Sequence, residues 1–420
     1  MPNNSHRIGF VSTRIAGTDG VSLEISKWAS VLTQMGCECF YFAGELDTAE
    51  DRSYCVEEAH FQHPDILALT RDLFDDYSRN PGTSSKIQTL QRHLKKHLYN
   101  FASQFGIDVM IAENALSLPM NIPLGLALTE YAAETNRPMI GHHHDFFWER
   151  KRFSINAAGD YLRAAFPPVL PSVQHVVINS FAARQLSLRA GVSSNLVPNV
   201  MDFETPPAAP DDYAAKFRST LGIEDDKYIL LQPTRIVPRK RIEHSIEIAR
   251  RLEIPVVLVI SHASGDEGTA YADFLQEYAH LLGVELILGA PHINHRRSLT
   301  PEGYLVFSLA DVYSQAGVVT YPSTLEGFGN AFLETIYHRR PLVMSDYEVF
   351  YADIRPQGFK VISFDEFITD ETVDKVRNIL VNPWLAEEMV DLNYQLGRKL
   401  YSFTALEKNL TALKQVCIRE

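Results

Sequence analysis

The run Ala316-Gly317-Val318-Val319-Thr320-Tyr321-Pro322, followed shortly by Glu326-Gly327-Phe328-Gly329-Asn330-Ala331-Phe332-Leu333-Glu334, decides how this chain is read. Its first half has the length and β-branched content of a buried strand, and Ala331 to Tyr337 has helical spacing. A carboxylate and two glycines therefore stand where a parallel strand hands over to a helix. Ligands of open α/β sheets bind at that edge, outside the carboxyl ends of the strands. The helix N-terminus adds free N–H groups and partial positive charge, suited to the oxygens of a sugar or phosphate. Glu334 lies roughly two helical turns beyond Glu326, so one carboxylate stands at the helix mouth and the other deeper along the same side. The structural alternative is a glycine-containing loop whose first glutamate favours the helix dipole and whose second is solvated.

Upstream of this stretch the same alternation recurs. Tyr228–Gln232 reads as a strand, 235–241 (Arg-Ile-Val-Pro-Arg-Lys-Arg) as the loop after it, and 242–252 as a helix. Arg235 and Lys240 are two fixed cations beside a helix start, which suits a diphosphate; a solvated basic loop is the alternative. Strands 256–260 and 285–289 and a short helix 308–316 lead into the opening stretch, strand 341–345 follows it, and 366–419 reads as helices. In the other half, strands are expected at 8–12, 37–43, 107–113, 138–145 and 175–180. Helices are expected at 23–35, in a polar region from Pro64 to Phe105, at 122–135, and from a candidate N-cap at Ser180 to Ala190. Strand and helix in alternation argue for parallel sheets covered on both faces. The run 205–212 (Thr-Pro-Pro-Ala-Ala-Pro-Asp-Asp) cannot hold regular structure, which puts a linker there between domains 1–204 and 213–399.

Two further stretches carry polar chemistry. The loop Arg14 to Ser22 follows the first strand and makes a Rossmann-like opening, but its glycines are Gly17 and Gly20 only, so it is not the G-x-G-x-x-G fingerprint. Such a loop does let a ligand approach the backbone closely. The strand Pro138-Met139-Ile140-Gly141 ends in His142-His143-His144-Asp145, where alternation turns His142 and His144 one way and His143 the other. Metal ligation, structural hydrogen bonding and polar contact with a ligand are the three readings; consecutive histidines on a strand cannot all reach one ion, and no metal site is expected. Asp145 to Phe153, with Trp148, Arg150, Lys151 and Arg152, is either a partly buried flap or a wall holding a carboxylate, phosphate or sugar face.

Composition narrows the class. A chain of 420 residues, 45% hydrophobic and 22% charged, has the profile of a soluble globular protein of two or three domains. A net charge of −13 disfavours nucleic acid and anionic membranes as partners. Cys37, Cys39, Cys55 and Cys417 show no C-x-x-C spacing, so reduced thiols are expected. The polar start Met1-Pro2-Asn3-Asn4-Ser5-His6-Arg7 is not a signal peptide, and the longest uncharged span, 164–183, holds three prolines. A cytoplasmic protein without a membrane anchor is expected.

Together these stretches resemble the family 4 retaining glycosyltransferases over nearly the whole chain. Glu326 to Glu334, preceded by Tyr321-Pro322-Ser323, resembles that family's E-x7-E motif. Arg235 and Lys240 resemble its phosphate-binding pair. Pro198-Asn199-Val200-Met201-Asp202 resembles its Pro-Asn-Gly-Val-Asp turn, with Val200 in place of glycine. His144-Asp145 resembles its His-Asp, and Gly17 to Val21 its first glycine loop, with Thr18 and Asp19 breaking the usual double glycine. The resemblance implies a GT-B fold, α/β with two Rossmann-like domains whose parallel sheets face each other across a cleft, the last helix, 400–420, packing back on the first. It implies that Arg235 and Lys240 stabilise the departing diphosphate, that Glu326 holds sugar hydroxyls with Gly327, Phe328, Gly329 and Asn330 supplying backbone contacts, and that Glu334 holds the ribose. His144 would meet the sugar from the first domain, and Gly20 would lie by the donor. Asp19, Gly20, Val21, Asp145, Trp148, Arg150 and Arg152 would meet the acceptor. No cofactor is required; Mg2+ is not predicted. The donor is a nucleotide-diphosphate sugar, GDP-mannose or UDP-glucose, and the acceptor a small soluble anionic molecule such as a glycerate, glucosylglycerate or sugar phosphate. A loose similarity to the enzymes that make mannosylglucosylglycerate or sucrose phosphate points the same way, and a homodimer is one assembly considered. The alternatives are a nucleotide-sugar 2-epimerase, which needs no acceptor, and a non-catalytic nucleotide-sugar-binding protein.

Overall fold

The computed structural model describes residues 6–17, 19–264 and 268–417, the last two without their side chains. Met1 to Ser5, the Thr18 that interrupts the glycine loop, and the Cys417 thiol lie outside the described residues. The chain forms two compact units: residues 1–200 with 403–420, and residues 201–402. The chain thus passes from one unit to the other at 200/201 and returns at 402/403. The proline-rich run 205–212 falls within the second unit, and the first unit runs to Val200.

In chain order the first unit holds β1 (Arg7–Val11), α1 (Gly20–Gln34), β2 (Glu38–Ala43), β3 (Ser53–Cys55), α2 (Pro64–Leu73), α3 (Pro81–Phe105), β4 (Val109–Glu113), α4 (Ile122–Thr135), β5 (Met139–His143), α5 (Gly159–Ala165), β6 (Val173–Val177), α6 (Ser180–Ala190) and β7 (Ser194–Leu196). Its seven strands run parallel in the order β3-β2-β1-β4-β5-β6-β7. Both faces are covered. Leu94, Leu98, Phe101 and Leu128 pack one side, and Ile25, Trp28 and Leu32 the other. The last helix of the chain, whose range is Phe403–Cys417, adds Leu406, Leu410 and Leu413 to the second of these clusters.

The second unit holds α7 (Asp212–Ala215), α8 (Phe217–Thr220), β8 (Tyr228–Gln232), α9 (Ile242–Arg251), β9 (Val256–Ile260), α10 (Ala270–Leu282), β10 (Leu286–Leu288), β11 (Ile293–Asn294), β12 (Ser298–Leu299), β13 (Leu305–Ser308), α11 (Leu309–Gln315), β14 (Val318–Tyr321), α12 (Asn330–Tyr337), β15 (Leu342–Ser345), β16 (Ile362–Phe364), α13 (Asp370–Val381) and α14 (Trp384–Leu400). Its main sheet is parallel in the order β10-β9-β8-β14-β15-β16, and β11-β13-β12 form a small separate sheet. Each main sheet reverses its winding once, between β1 and β4 in the first unit and between β8 and β14 in the second. At that switch point the two flanking loops diverge and leave a crevice beyond the strand ends.

Several expectations need correction. The polar region 64–105 is two helices, because Pro64 and Pro81 each open one: His63 and Asn80 cap them, and Phe74 to Asn80 between them is not helical. Asn179, not Ser180, caps α6; its side chain accepts from Ala182 N at 2.7 Å. The short edge strands β3 and β7, the small sheet and α10 were not anticipated. Among the described residues no helix is long and apolar enough to cross a membrane.

Candidate active site

In the second unit β8 and β14 are neighbours, with Leu230 beside Val318 and Leu231 beside Val319, so the loops that leave their carboxyl ends emerge side by side. One carries Arg235 to Arg241, the other Ser323 to Gly329. They are tied together: Thr324 donates to the Arg239 carbonyl from its backbone N (3.0 Å) and Oγ1 (3.2 Å), and Arg239 Nη1 donates to the Leu325 carbonyl at 3.2 Å. Lys240 and Glu326 thereby meet in a buried ion pair, with side chains 9% and 10% exposed. Arg239 Nη1 stands 3.6 Å from the same carboxylate oxygen, and the Lys240 ammonium lies 5.0 Å above the buried Tyr321 ring. Burial pulls the Lys240 ammonium below its ordinary proton affinity, with Arg239 and Arg235 adding to the effect and Glu326 opposing it. Burial works the other way on Glu326, but the charges of Lys240 and Arg239 prevail and hold its carboxyl below the usual range. Arg235 is exposed and makes no ion pair among the described residues. The loop pair thus presents three fixed cations against one carboxylate.

Beyond the loop, Gly329 precedes the first turn of α12 at φ +112°, and a Cβ there would lie 2.3 Å from the Tyr347 hydroxyl. That hydroxyl donates to the Phe328 carbonyl at 2.7 Å, so the backbone turns against a fixed wall. Phe328 keeps its ring buried, and Asn330 opens the helix. Glu334 sits one turn in and accepts from the buried Tyr313 hydroxyl at 3.0 Å. His262, just after β9, was not anticipated from the sequence. It shares a 2.7 Å hydrogen bond with Ser261, and burial, then the charges of Arg235 and Lys240, lower its proton affinity to about 4. It is a neutral imidazole beside the cations at physiological pH. A titratable residue directly after a strand that neighbours β8 is the feature by which it could have been found.

In the first unit, β4 and β5 place Glu113 beside His142. His142 Nδ1 lies 2.9 Å from Glu113 Oε2, and His144 Nε2 lies 3.2 Å from the same atom. The alternation read from the sequence is what the structure has: His143 points the other way and pairs with His175, 2.9 Å apart. Glu113 itself was missed, since nothing local marks a glutamate at a strand end as the partner of a histidine 31 positions on. Among the described residues Glu113, His142 and His144 are the set whose ligand atoms could surround a metal ion, all within 4.8 Å of one another. Within the set Glu113 Oε1 and His142 Nε2 are buried without a hydrogen-bond partner among the described residues.

The expected acceptor residues are only partly gathered. Asp19 caps α1, accepting from Val21 N (3.1 Å), Ser22 N (3.2 Å) and Ser22 Oγ (2.7 Å), and pairs with Arg14 at 3.1 Å. Gly20 and Val21 are the first residues of that helix. Asp145 and Arg150, both expected to face an acceptor, form an ion pair with each other, and Asn114 Nδ2 donates to Asp145 at 3.1 Å. Trp148 stacks on buried Phe146 at 4.4 Å and packs on the Val177, Ala182 and Leu186 cluster, so its ring serves packing. Lys151 and Arg152 are exposed. The Pro198–Asp202 turn is held from α1: Lys27 Nζ donates to the Val200 carbonyl at 2.6 Å, and Val200 N donates to buried Glu24 at 3.2 Å.

Residues 214–395 match the model of the family Glycosyl transferases group 1. Among solved structures, the sucrose-phosphate synthase of Thermosynechococcus elongatus superposes with a TM-score of 0.67 at 16% identity, covering 98% of each chain, which speaks for the fold. Two parallel α/β sheets with their polar loops at the switch points define the class: a glycosyltransferase of GT-B fold. The chain is 33% identical to the mannosylglucosylglycerate synthase of Thermotoga maritima, over 96% of this chain and 99% of that protein. It is also 33% identical to the mannosylglucosylglycerate synthase of Petrotoga mobilis, over 85% and 86%. The chain belongs to the glycosyltransferase family that contains these synthases.

Proposed function

We propose that this glycosyltransferase moves a hexose from a nucleotide-diphosphate sugar to a hydroxyl of a glycerate-type acceptor, with retention of anomeric configuration. GDP-mannose and glucosylglycerate are the donor and acceptor favoured by the names of the two relatives. The observation that carries the reading is the excess of fixed positive charge around Glu326, from Lys240 and Arg239, with Arg235 near enough to act on Lys240. Negative charge develops on the diphosphate as the glycosidic bond breaks, and preorganised cations stabilise it more than they stabilise the bound donor. The acceptor hydroxyl attacks the anomeric carbon from the leaving-group side. The bond to the diphosphate oxygen breaks, and that oxygen takes the hydroxyl proton. Glu326 and Glu334 hold sugar and ribose hydroxyls; they are not the acid and nucleophile pair of a glycoside hydrolase. The acceptor carboxylate is met by the exposed Lys151, since the charge of Arg150 is offset by Asp145.

The test is product analysis with GDP-mannose and UDP-glucose, each offered glucosylglycerate, glycerate or a sugar phosphate, and each alone. A new glycoside whose anomeric configuration, read from the one-bond C1–H1 coupling, matches the donor's supports the reading. An inverted product removes retention, and a changed free sugar nucleotide without acceptor points to an epimerase.

A further inference from the structure

Glu113 carries a role that the transfer chemistry above does not use. It stands at the last position of β4, its side chain 0% exposed, and both of its histidine partners direct ring nitrogens at one oxygen, Oε2. His142 is itself wholly buried between Trp28, 4.3 Å away centroid to centroid, and the His144 ring at 4.5 Å. His144 is the member of the cluster that reaches outward, with a tenth of its side chain exposed. Its backbone N donates to Asn114 Oδ1 at 3.2 Å, so the main chain is fixed as well as the ring. With Nε2 engaged by Glu113, Nδ1 is the ring nitrogen left without a partner among the described residues.

We propose that Glu113 is a positioning residue for glycosyl transfer, acting through His144: by accepting from Nε2 it fixes the ring and turns the Nδ1 hydrogen outward to a substrate hydroxyl at the crevice of the first unit. The inference rests on the proposed function and on the resemblance that gives His144 a polar contact with a substrate sugar.

The surrounding charges agree. From β4 His144 faces Glu113; from β5, His142; from α1, Glu24, paired with Lys27 at 3.0 Å; from its own loop, Asp145, paired with Arg150. His143, on the opposite face of the strand, is held neutral by burial and by the neighbouring histidines. Burial disfavours a charged His144, but the hydrogen bond and charge of Glu113, then the charges of Glu24 and Asp145, outweigh it and raise its proton affinity. A doubly protonated ring can donate at Nδ1 while Nε2 stays bound to Glu113; a neutral ring bound in the same way cannot. Glu113 therefore sets the pH range over which His144 is a donor.

The experiment is histidine 15N NMR of the full chain together with pH–rate profiles, for wild type, E113Q, E113D and H144Q. In E113Q, which keeps the size of the side chain and removes its charge, the His144 ring is expected to titrate at lower pH. The falling alkaline limb of kcat/KM moves with it, costing roughly tenfold at pH 8 for each tenfold loss of proton affinity, and less near pH 6. E113D is expected to restore part of the shift, and E113Q should add no further loss in the H144Q background. A variant that loses activity equally at every pH, or a His144 ring that titrates alike in wild type and E113Q, overturns the role of Glu113 even if the wild type transfers normally. Failure of the underlying reading looks different: wild type transfers nothing from any sugar nucleotide, or H144Q transfers at the wild-type rate. Stoichiometric divalent metal that E113Q loses would also overturn the role proposed.

Discussion

Lys240 and Glu326 pair with each other and are proposed to act on the donor, and the two roles can be separated. Together they are a buried pair, so removing one partner leaves an uncompensated charge, at a cost of about 3–5 kcal/mol. K240A should therefore both unfold at lower denaturant and lose turnover by roughly two to three orders of magnitude. K240M/E326L, which replaces the pair with apolar bulk, is expected to recover most of the stability and none of the turnover; urea unfolding beside steady-state rates decides this. Near-normal transfer by K240A would remove the diphosphate role. The pair also has a pH signature. Glu326 has its folded proton affinity depressed, so its contribution is present above the ordinary carboxylate range and is lost as pH falls through the lower, folded value. Glu113 is depressed in the same sense, its histidine partners outweighing burial. Stability should accordingly decline as pH falls from the ordinary carboxylate range toward the lower folded values, and E326Q should flatten that limb. At Gly329 the constraint is steric. G329A brings a Cβ onto the Tyr347 hydroxyl at a φ that L-residues rarely adopt, so a loss of roughly 1–3 kcal/mol is expected. G329A/Y347F should regain the part due to the clash and not the part due to φ. The sequence made Glu326, Glu334, Arg235 and Lys240 legible because they lie near one strand-to-helix handover or one basic loop. Arg239, Glu113 and His262 were harder to find because their importance comes from a neighbour on another strand, and a linear pattern contains no such pairing.

At the scale of elements, local chemistry was readable wherever a single period held. Strands β8 and β9 and helix α4 fall where continuous apolar runs and helical spacing put them, the strands being buried on both faces. The long polar region 64–105 reads as one helical stretch because its helical spacing continues through the break. The correcting feature was in plain view: Asn80-Pro81 is a cap followed by a residue at home in a first helical turn. The edge strands β3 and β7, three residues each, are too short for any period to register. Helix α6 gives a direct test of cap placement. Asn179 Oδ1 accepts from Ala182 N at 2.7 Å in a buried setting. N179A should lower stability by ~1–2 kcal/mol and S180A by less, measured by urea unfolding. The reverse order would return the cap to Ser180.

For the whole molecule, the repeated device is the switch point. Each sheet winds outward from a central strand pair, and each pair sends two loops into one crevice: β1 with β4 in the first unit, β8 with β14 in the second. The residues assigned to the nucleotide, the diphosphate and the sugar hydroxyls gather at the second crevice, whereas the histidine network lies beside the first. Nucleotide binding should therefore be a property of residues 201–402. Hydrogen exchange of the full chain with GDP or UDP is expected to protect 235–241, 256–262 and 313–347 and to leave β4 and β5 nearly unchanged. The thermal shift should rank GDP above UDP, with stabilisation of about 2.7 kcal/mol when ligand is a hundredfold above its Kd. E334A should weaken the nucleotide and leave the sugar-dependent increment intact. If protection appears at 109–145 with nucleotide alone, the nucleotide sits at the wrong sheet and the assignments to Glu334, Arg235 and Lys240 fall together. If UDP outranks GDP while the pattern of protection holds, only the base is reassigned, because the fixed cations act on the diphosphate common to both.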